Sequence, residues 1–206
     1  MITVTRFVTG PIETNSYTIV DGSKNCLIID PSSGCDELID TIKTGGLATE
    51  AVVLTHGHFD HIMGLGEVVE ALGPLPVYIH SADRSCLSNP HINGSPMIGV
   101  KYSFEGDIRE LKEGPMTIGS FAFEVLNIPG HTPGGCVLLI ANYCICGDVL
   151  FAGSIGRSDL PGGDGAALMA GIKRKLLTLP DGTIVCSGHG SRTTIGREKR
   201  ANPYLR

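Results

Sequence analysis

Long apolar runs are missing from this chain of 206 residues: the longest, such as Cys136 to Ala141, fall far short of the roughly 18 residues that a membrane-crossing helix needs. The N-terminal stretch MITVTRFVTG lacks a basic region followed by an apolar one and alternates like a strand, so no secretory signal is expected and the expected location is cytoplasmic. No CxxC pair occurs among the seven cysteines, an odd number, which argues against a disulfide framework or a thiolate zinc site. Set mostly in apolar strand-like stretches, they read as reduced, buried small hydrophobes. Positive charge is also short, with 16 Lys and Arg against 21 Asp and Glu and a net charge of −5. Such a surface has no long-range attraction for nucleic acid or for an anionic membrane, and a small-molecule substrate fits better. Polar low-complexity tracts, fixed-period repeats and composition shifts are absent too, which excludes disorder and a solenoid and leaves one domain over residues 1–206.

What is present is an α/β alternation. Periodicity predicts strands near Ile2 to Val8, Ser16 to Val20, Cys26 to Asp30, Ala51 to Thr55 and Val77 to Ile79, with helices at Cys35 to Thr44, Ile62 to Leu72 and Ser81 to Leu87. A Pro, Asn and Gly-rich loop from Ser88 to Gly99 interrupts the pattern. Strands then follow near Met116 to Ile118, Phe121 to Asn127, Cys136 to Ala141 and Tyr143 to Gly147, with a helix near Gly165 to Leu179 and a strand at Ile184 to Ser187. The expected architecture is two sheets packed between helices, and the basic stretch Arg197 to Arg200 reads as a solvated face.

The informative segment is Thr55-His-Gly-His-Phe-Asp-His61, directly after the apolar run Ala51 to Leu54. A buried strand there delivers the histidines to the rim of a sheet, where α/β folds place ligands. His56 and His58, two apart on extended chain, can face one point, while Asp60 and His61, where the chain turns into a helix, can face a second. Chance gives this pattern roughly once in a few thousand sequences of this composition. Three imidazoles and a carboxylate packed so closely would repel if protonated and be costly if buried without a partner. Imidazole and carboxylate suit zinc, iron or manganese. His131, Asp148 and His189 each follow a predicted strand and extend the set, whereas His80 and His91 show no partner pattern.

Taken together, the chain resembles the metallo-β-lactamase superfamily and, within it, the glyoxalase II-like hydrolases. The resemblance rests on Thr14 to Thr18, Ile29-Asp-Pro31, Thr55 to His61, Pro129-Gly-His-Thr-Pro-Gly-Gly135, Gly147 to Gly153, Ser187-Gly-His-Gly190 and the tail Thr194 to Tyr204. It implies a four-layer αββα sandwich with two divalent metal ions, zinc foremost, with iron or manganese as alternatives. One would be held by His56, His58 and His131, the other by Asp60, His61 and His189, with Asp148 bridging. It also implies hydrolysis of a thioester such as a hydroxyacyl-glutathione by a hydroxide held between the metals, with Asp60 orienting that hydroxide or taking its proton. Asp30 is expected to fix an imidazole tautomer. Arg157 stands where the family has a basic substrate-binding residue, and it can pair with a substrate carboxylate or tie its own loop to Asp159. Larger glyoxalases II continue into a helical region that binds the glutathione carboxylates, whereas this chain is expected to be a short form. The alternatives on the same site are a persulfide dioxygenase with one iron on His56, His131 and Asp148, and a lactonase or other esterase.

Overall fold

The computed structural model describes residues 1–206. The first half builds one six-stranded sheet from β1 (Thr3–Thr9), β2 (Thr14–Val20), β3 (Asn25–Ile29), β4 (Ala48–Val53), β5 (Val77–Ile79) and β6 (Ile108–Glu110), in sequence order. Hairpins make β1, β2 and β3 antiparallel, and crossovers make β3 to β6 parallel. The second half builds another from β7 (Gly114–Ile118), β8 (Phe121–Asn127), β9 (Cys136–Ile140), β10 (Tyr143–Gly147), β13 (Ile184–Ser187) and β14 (Thr193–Thr194), in the order β14-β13-β10-β9-β8-β7. A small hairpin of β11 (Leu150–Phe151) and β12 (Ser154–Ile155) stands apart.

Alternation along the strands decides which faces meet. Val4, Tyr17, Ile19, Leu27, Ile29, Ala51 and Val53 of the first sheet pack on Phe121, Phe123, Val125, Leu138 and Ile145 of the second, forming the core between the sheets. The opposite face of the first sheet, through Cys26, Ile28, Val52 and Leu54, is covered by helices α1 (Asp36–Gly45) and α3 (Leu65–Leu72). α1 presents Leu38, Ile39 and Ile42 to that core, places Asp36 and Glu37 in its first turn and Lys43 in its last, and stops at Gly46 in the left-handed conformation. Outside the second sheet, α5 (Gly165–Gly171) continues as a π-helical turn over Ile172–Leu176, and Leu168, Ile172 and Leu176 at four-residue spacing pack on Val137, Cys144 and Val185. Helices therefore flank both sheets in the order α, β, β, α. No helix is long and apolar enough to cross a membrane.

Several elements differ from the sequence expectation. The helix predicted from Ile62 is two pieces, the single turn α2 (Phe59–Ile62) and then α3, separated at Gly64. Gly64 lies against the Pro31–Ser32 backbone, where a Cβ would come within 2.3 Å of Ser32 O, and its N–H donates to Pro31 O at 2.9 Å, which bends the chain. Ser81–Leu87 is a 3₁₀ helix, and the expected loop after it holds a helical turn, α4 (Pro90–Asn93), and a 3₁₀ turn over Ser95–Ile98, punctuated by the left-handed Gly94 and Gly99. The basic stretch lies on α6 (Ile195–Ala201), started by a Thr194 cap; Arg197, Lys199 and Arg200 are exposed while Glu198 is buried.

Candidate metal centre

The His56–His61 segment follows β4, His131 follows β8, Asp148 follows β10 and His189 follows β13, all at C-terminal strand ends. Backbone bonds stitch the two sheets together here, Cys136 N–H donating to Thr55 O at 2.8 Å and Asn15 N–H to Gly188 O at 2.7 Å, while Gly188 N–H donates to Gly147 O at 2.8 Å within the second sheet. Gly188 permits a close approach, since a Cβ there would stand 2.1 Å from Asp148 Oδ1 and 2.7 Å from the His61 ring.

Two groups of donor atoms form at this rim, and a third, Asp30 with His56 and His61, overlaps both. His56, His58 and His131 offer one ligand atom each within 4.8 Å of one another, and Asp60, His61 and His189 do the same. These are the two sets expected from the sequence. Asp148 stands between them, with Oδ1 3.4 Å from His61 Nε2 and Oδ2 3.5 Å from His131 Nε2 and 3.6 Å from His189 Nε2.

The residues fit a pair of cations. Buried His56 Nε2, His61 Nε2 and Asp148 Oδ1 have no hydrogen-bond partner, although such an atom ordinarily costs about 1–3 kcal/mol. Three far nitrogens are engaged: His61 Nδ1 donates to Asp30 Oδ2 at 2.9 Å, His131 Nδ1 to Arg157 O at 2.7 Å, and His56 Nδ1 to Thr55 Oγ1 at 3.1 Å. Those bonds fix the ring orientations, leaving Nε2 of His56 and of His61 unpartnered, while His131 Nε2 accepts from His58 Nδ1 at 2.8 Å within its own group. Asp30 serves both groups, because Thr55 Oγ1 donates to its Oδ2 at 2.6 Å while carrying His56. It does so in the left-handed conformation, at φ 48°, an uncommon backbone state of the kind that collects at functional sites.

Electrostatics separates the groups. Burial, reinforced by the neighbouring imidazoles, drives His56 well below its ordinary pKa and His58 down to about 4. Burial would also lower His61, but Asp60, Asp148 and Asp30 override it and hold the ring well above its ordinary value. Asp60 and Asp148, which burial would raise, are held low by His61 and the other imidazoles. The negative potential that favours a proton on His61 also favours a divalent cation, so proton and metal compete for the same nitrogen.

The sequence profile of the Metallo-beta-lactamase superfamily matches residues 9–189. The chain belongs to this superfamily. It is 41% identical to a probable metallo-hydrolase, YqgX, of Bacillus subtilis, over 97% of this chain and 96% of that protein. It is 37% identical to the hydroxyacylglutathione hydrolase GloC of Haemophilus influenzae, over 100% and 96% of the two chains. Among solved structures it is similar to the BLEG-1 B3 metallo-beta-lactamase, with 40% identity, a TM-score of 0.94 and coverage of 98% and 99%. TTHA1623 in a di-iron-bound form gives 38% identity and a TM-score of 0.85, over 98% of this chain and 100% of that one.

In this superfamily member His58, Asp60, His131, Asp148 and His189 of the candidate ligand set line a cavity of about 840 Å³. Arg157 lines it, but the guanidinium is exposed and bonded to Asp159 through Nε at 2.9 Å and Nη2 at 2.8 Å. His91, which carries no partner pattern in the sequence, also lines the cavity and lies in neither donor group, while His80 caps the 3₁₀ helix by accepting from Ala82 N–H.

Two residues that sequence reasoning missed hold the site together. Asp83, fully buried, accepts from Gly57 N–H at 3.0 Å and Gly134 N–H at 2.7 Å, joining the loop of His56 and His58 to the loop of His131. Thr14 Oγ1 donates to Asp60 Oδ2 at 3.0 Å. Neither stands beside its partners in the chain, so spacing carried no signal for either.

Proposed function

We propose that the protein is a two-metal hydrolase that cleaves a thioester such as a hydroxyacyl-glutathione. The observation that carries this reading is Asp148 standing between two three-residue donor groups, with unpartnered buried atoms in both. His56, His58 and His131 would hold one metal and Asp60, His61 and His189 the other, with Asp148 shared. Zinc suits this donor set, as do iron and manganese. When bound, the ions would lower the pKa of water and polarise a scissile carbonyl.

The chain's own groups supply the rest. Asp60, whose Oδ2 is fixed by Thr14 and lies 3.2 Å from Nε2 of both His61 and His189, orients the attacking water and takes its proton. Water adds to the thioester carbonyl carbon, the C–S bond breaks with its electron pair on sulfur, and the sulfur takes up a proton to leave as thiol beside a carboxylic acid. Arg157 at the cavity mouth pairs with a substrate carboxylate by exchanging its bond to the exposed Asp159. The second donor group favours this reading over a one-iron dioxygenase, which needs only His56, His131 and Asp148. The similarity to GloC supports a hydroxyacyl-thiol as substrate. The test is thiol release from S-lactoyl-glutathione by metal-loaded protein: Asp60→Asn, loaded with excess metal and compared at matched metal content, should lower kcat by about 10²–10⁴-fold. Equal rates for the two proteins would remove Asp60 from the chemistry.

A further inference from the structure

The wall above the metal-ligand groups is apolar where a glutathione site needs charge. Eight large hydrophobic side chains are exposed on the protein, and four of them, Ile12 at 45%, Ile92 at 47%, Met97 at 67% and Ile98 at 37%, line this one cavity. They come from separate places, Ile12 from the β1–β2 turn and the others from the α4 and 3₁₀ segment, and with Phe151 and Ile155 of the small hairpin they converge on one space. Exposed apolar side chains scattered singly need no explanation, but a convergent set beside polar donors marks a binding surface. Among lining residues outside the candidate ligands, His91 and Arg157 are the two that can carry positive charge, and Arg157 is bonded to Asp159. Glutathione presents two carboxylates and an ammonium group, and this wall holds little to pair with them.

We propose that the cavity takes the hydrocarbon part of an acyl thioester, so that the preferred substrate carries an acyl chain of several methylenes on a small thiol and not a lactoyl group on glutathione. This rests on the two-metal thioester hydrolase reading and replaces, at that same site, the hydroxyacyl-glutathione named there with a different class of thioester. At about 840 Å³ the space lies within the range of roughly 300–1,000 Å³ usual for pockets that bury a drug-sized ligand, and it is larger than a lactoyl group requires. The chain enters with its carbonyl at the metal-ligand floor and its methylenes along Ile92, Met97 and Ile98. Hydrolysis is balanced as above: water and thioester give a carboxylic acid and a thiol. Each fully buried methylene contributes about 0.8 kcal/mol, equivalent to about four-fold, so a half-open wall gives roughly two- to four-fold per added methylene.

The experiment pairs hydrolysis with binding. Zinc-loaded protein is assayed for thiol release from S-acyl-N-acetylcysteamines running from acetyl to decanoyl, with S-lactoyl-glutathione alongside. Binding of the matching free fatty acids is measured by calorimetry. The expected result is kcat/KM and affinity that both climb with chain length until the cavity is full. Met97→Gln and Ile92→Gln flatten both series. Val100→Gln, on the same segment but outside the cavity lining, leaves them as they were. Cleavage that is independent of chain length, or that favours lactoyl-glutathione over every acyl chain, overturns the acyl-chain assignment while keeping the hydrolase. No cleavage of any thioester, with affinity still rising along the acids and lost in Met97→Gln, removes the hydrolase and keeps the apolar subsite. If light scattering finds a dimer that Met97→Gln dissociates without altering the chain-length series, the rim belongs to a second copy and the proposal falls.

Discussion

Asp30 Oδ2 accepts the Nδ1 proton of His61 at 2.9 Å and, through Thr55 Oγ1, also supports His56, so one carboxylate outside the cavity orients an imidazole in each donor group. Removing it frees two rings at once. Asp30→Ala is therefore expected to weaken metal binding by about 10–100-fold, the usual cost of losing a carboxylate behind a metal-bound histidine. Metal titration with a competing chelator checks this, and unchanged affinity would show that the rings are held by packing alone.

Asp83 makes a different prediction, about stability. Asp83→Ala leaves the N–H groups of Gly57 and Gly134 buried without acceptors, at about 2–6 kcal/mol for the pair. Asp83→Asn can accept from one of them and turns an amide N–H₂ toward the other, so it should fall between. Denaturant unfolding of the metal-free proteins orders the three. A metal-free Asp83→Ala as stable as the parent would mean that water reaches both N–H groups.

How much of this was legible in the sequence depended on distance along the chain. The Thr55–His61 segment declared itself because its ligands lie within a few residues, and strands such as Phe121–Asn127 showed their period directly. The three-residue β6 shows one apolar residue followed by Arg109 and Glu110, where the equally short β5 is apolar throughout, and the break at Gly64 depends on Pro31, far back in the chain. The cavity rim was hidden for the same reason: Ile12, Met97 and Ile155 become neighbours only when the sheets close. Asp30 was anticipated as a support for an imidazole, but its reach to both groups runs through Thr55, which spacing does not reveal.

The cysteines answer to pH. Burial, as the leading cause, raises Cys26, Cys35, Cys86, Cys136 and Cys186 from an ordinary 9.0 to about 12. In the folded protein these thiols stay protonated between about 9 and about 12, whereas in the unfolded chain they ionise, so the unfolded state binds fewer protons there. Stability from this source is intact below about 9 and falls as pH rises toward about 12. Denaturation midpoints across that window check the sign. Near neutral pH, all seven thiols should react with a maleimide only as fast as the protein unfolds.

Arg157 should separate binding from folding. Its bridge to Asp159 is exposed on both sides, so Arg157→Ala should change stability by less than about 0.5 kcal/mol. KM should rise about ten-fold for a substrate with a carboxylate beside the thioester and stay flat for one without. A uniform rise for both would assign Arg157 to its loop, through the backbone carbonyl that holds His131.

The central claim, two metals serving hydrolysis, is tested most directly by elemental analysis of purified protein together with thiol release from lactoyl-glutathione and acyl thioesters and oxygen uptake on glutathione persulfide. The account predicts close to two metal ions per chain, thiol release abolished by chelator and restored by metal, and no oxygen consumption. One iron per chain, with oxygen consumed and no thioester cleaved, would contradict it in favour of a dioxygenase on His56, His131 and Asp148.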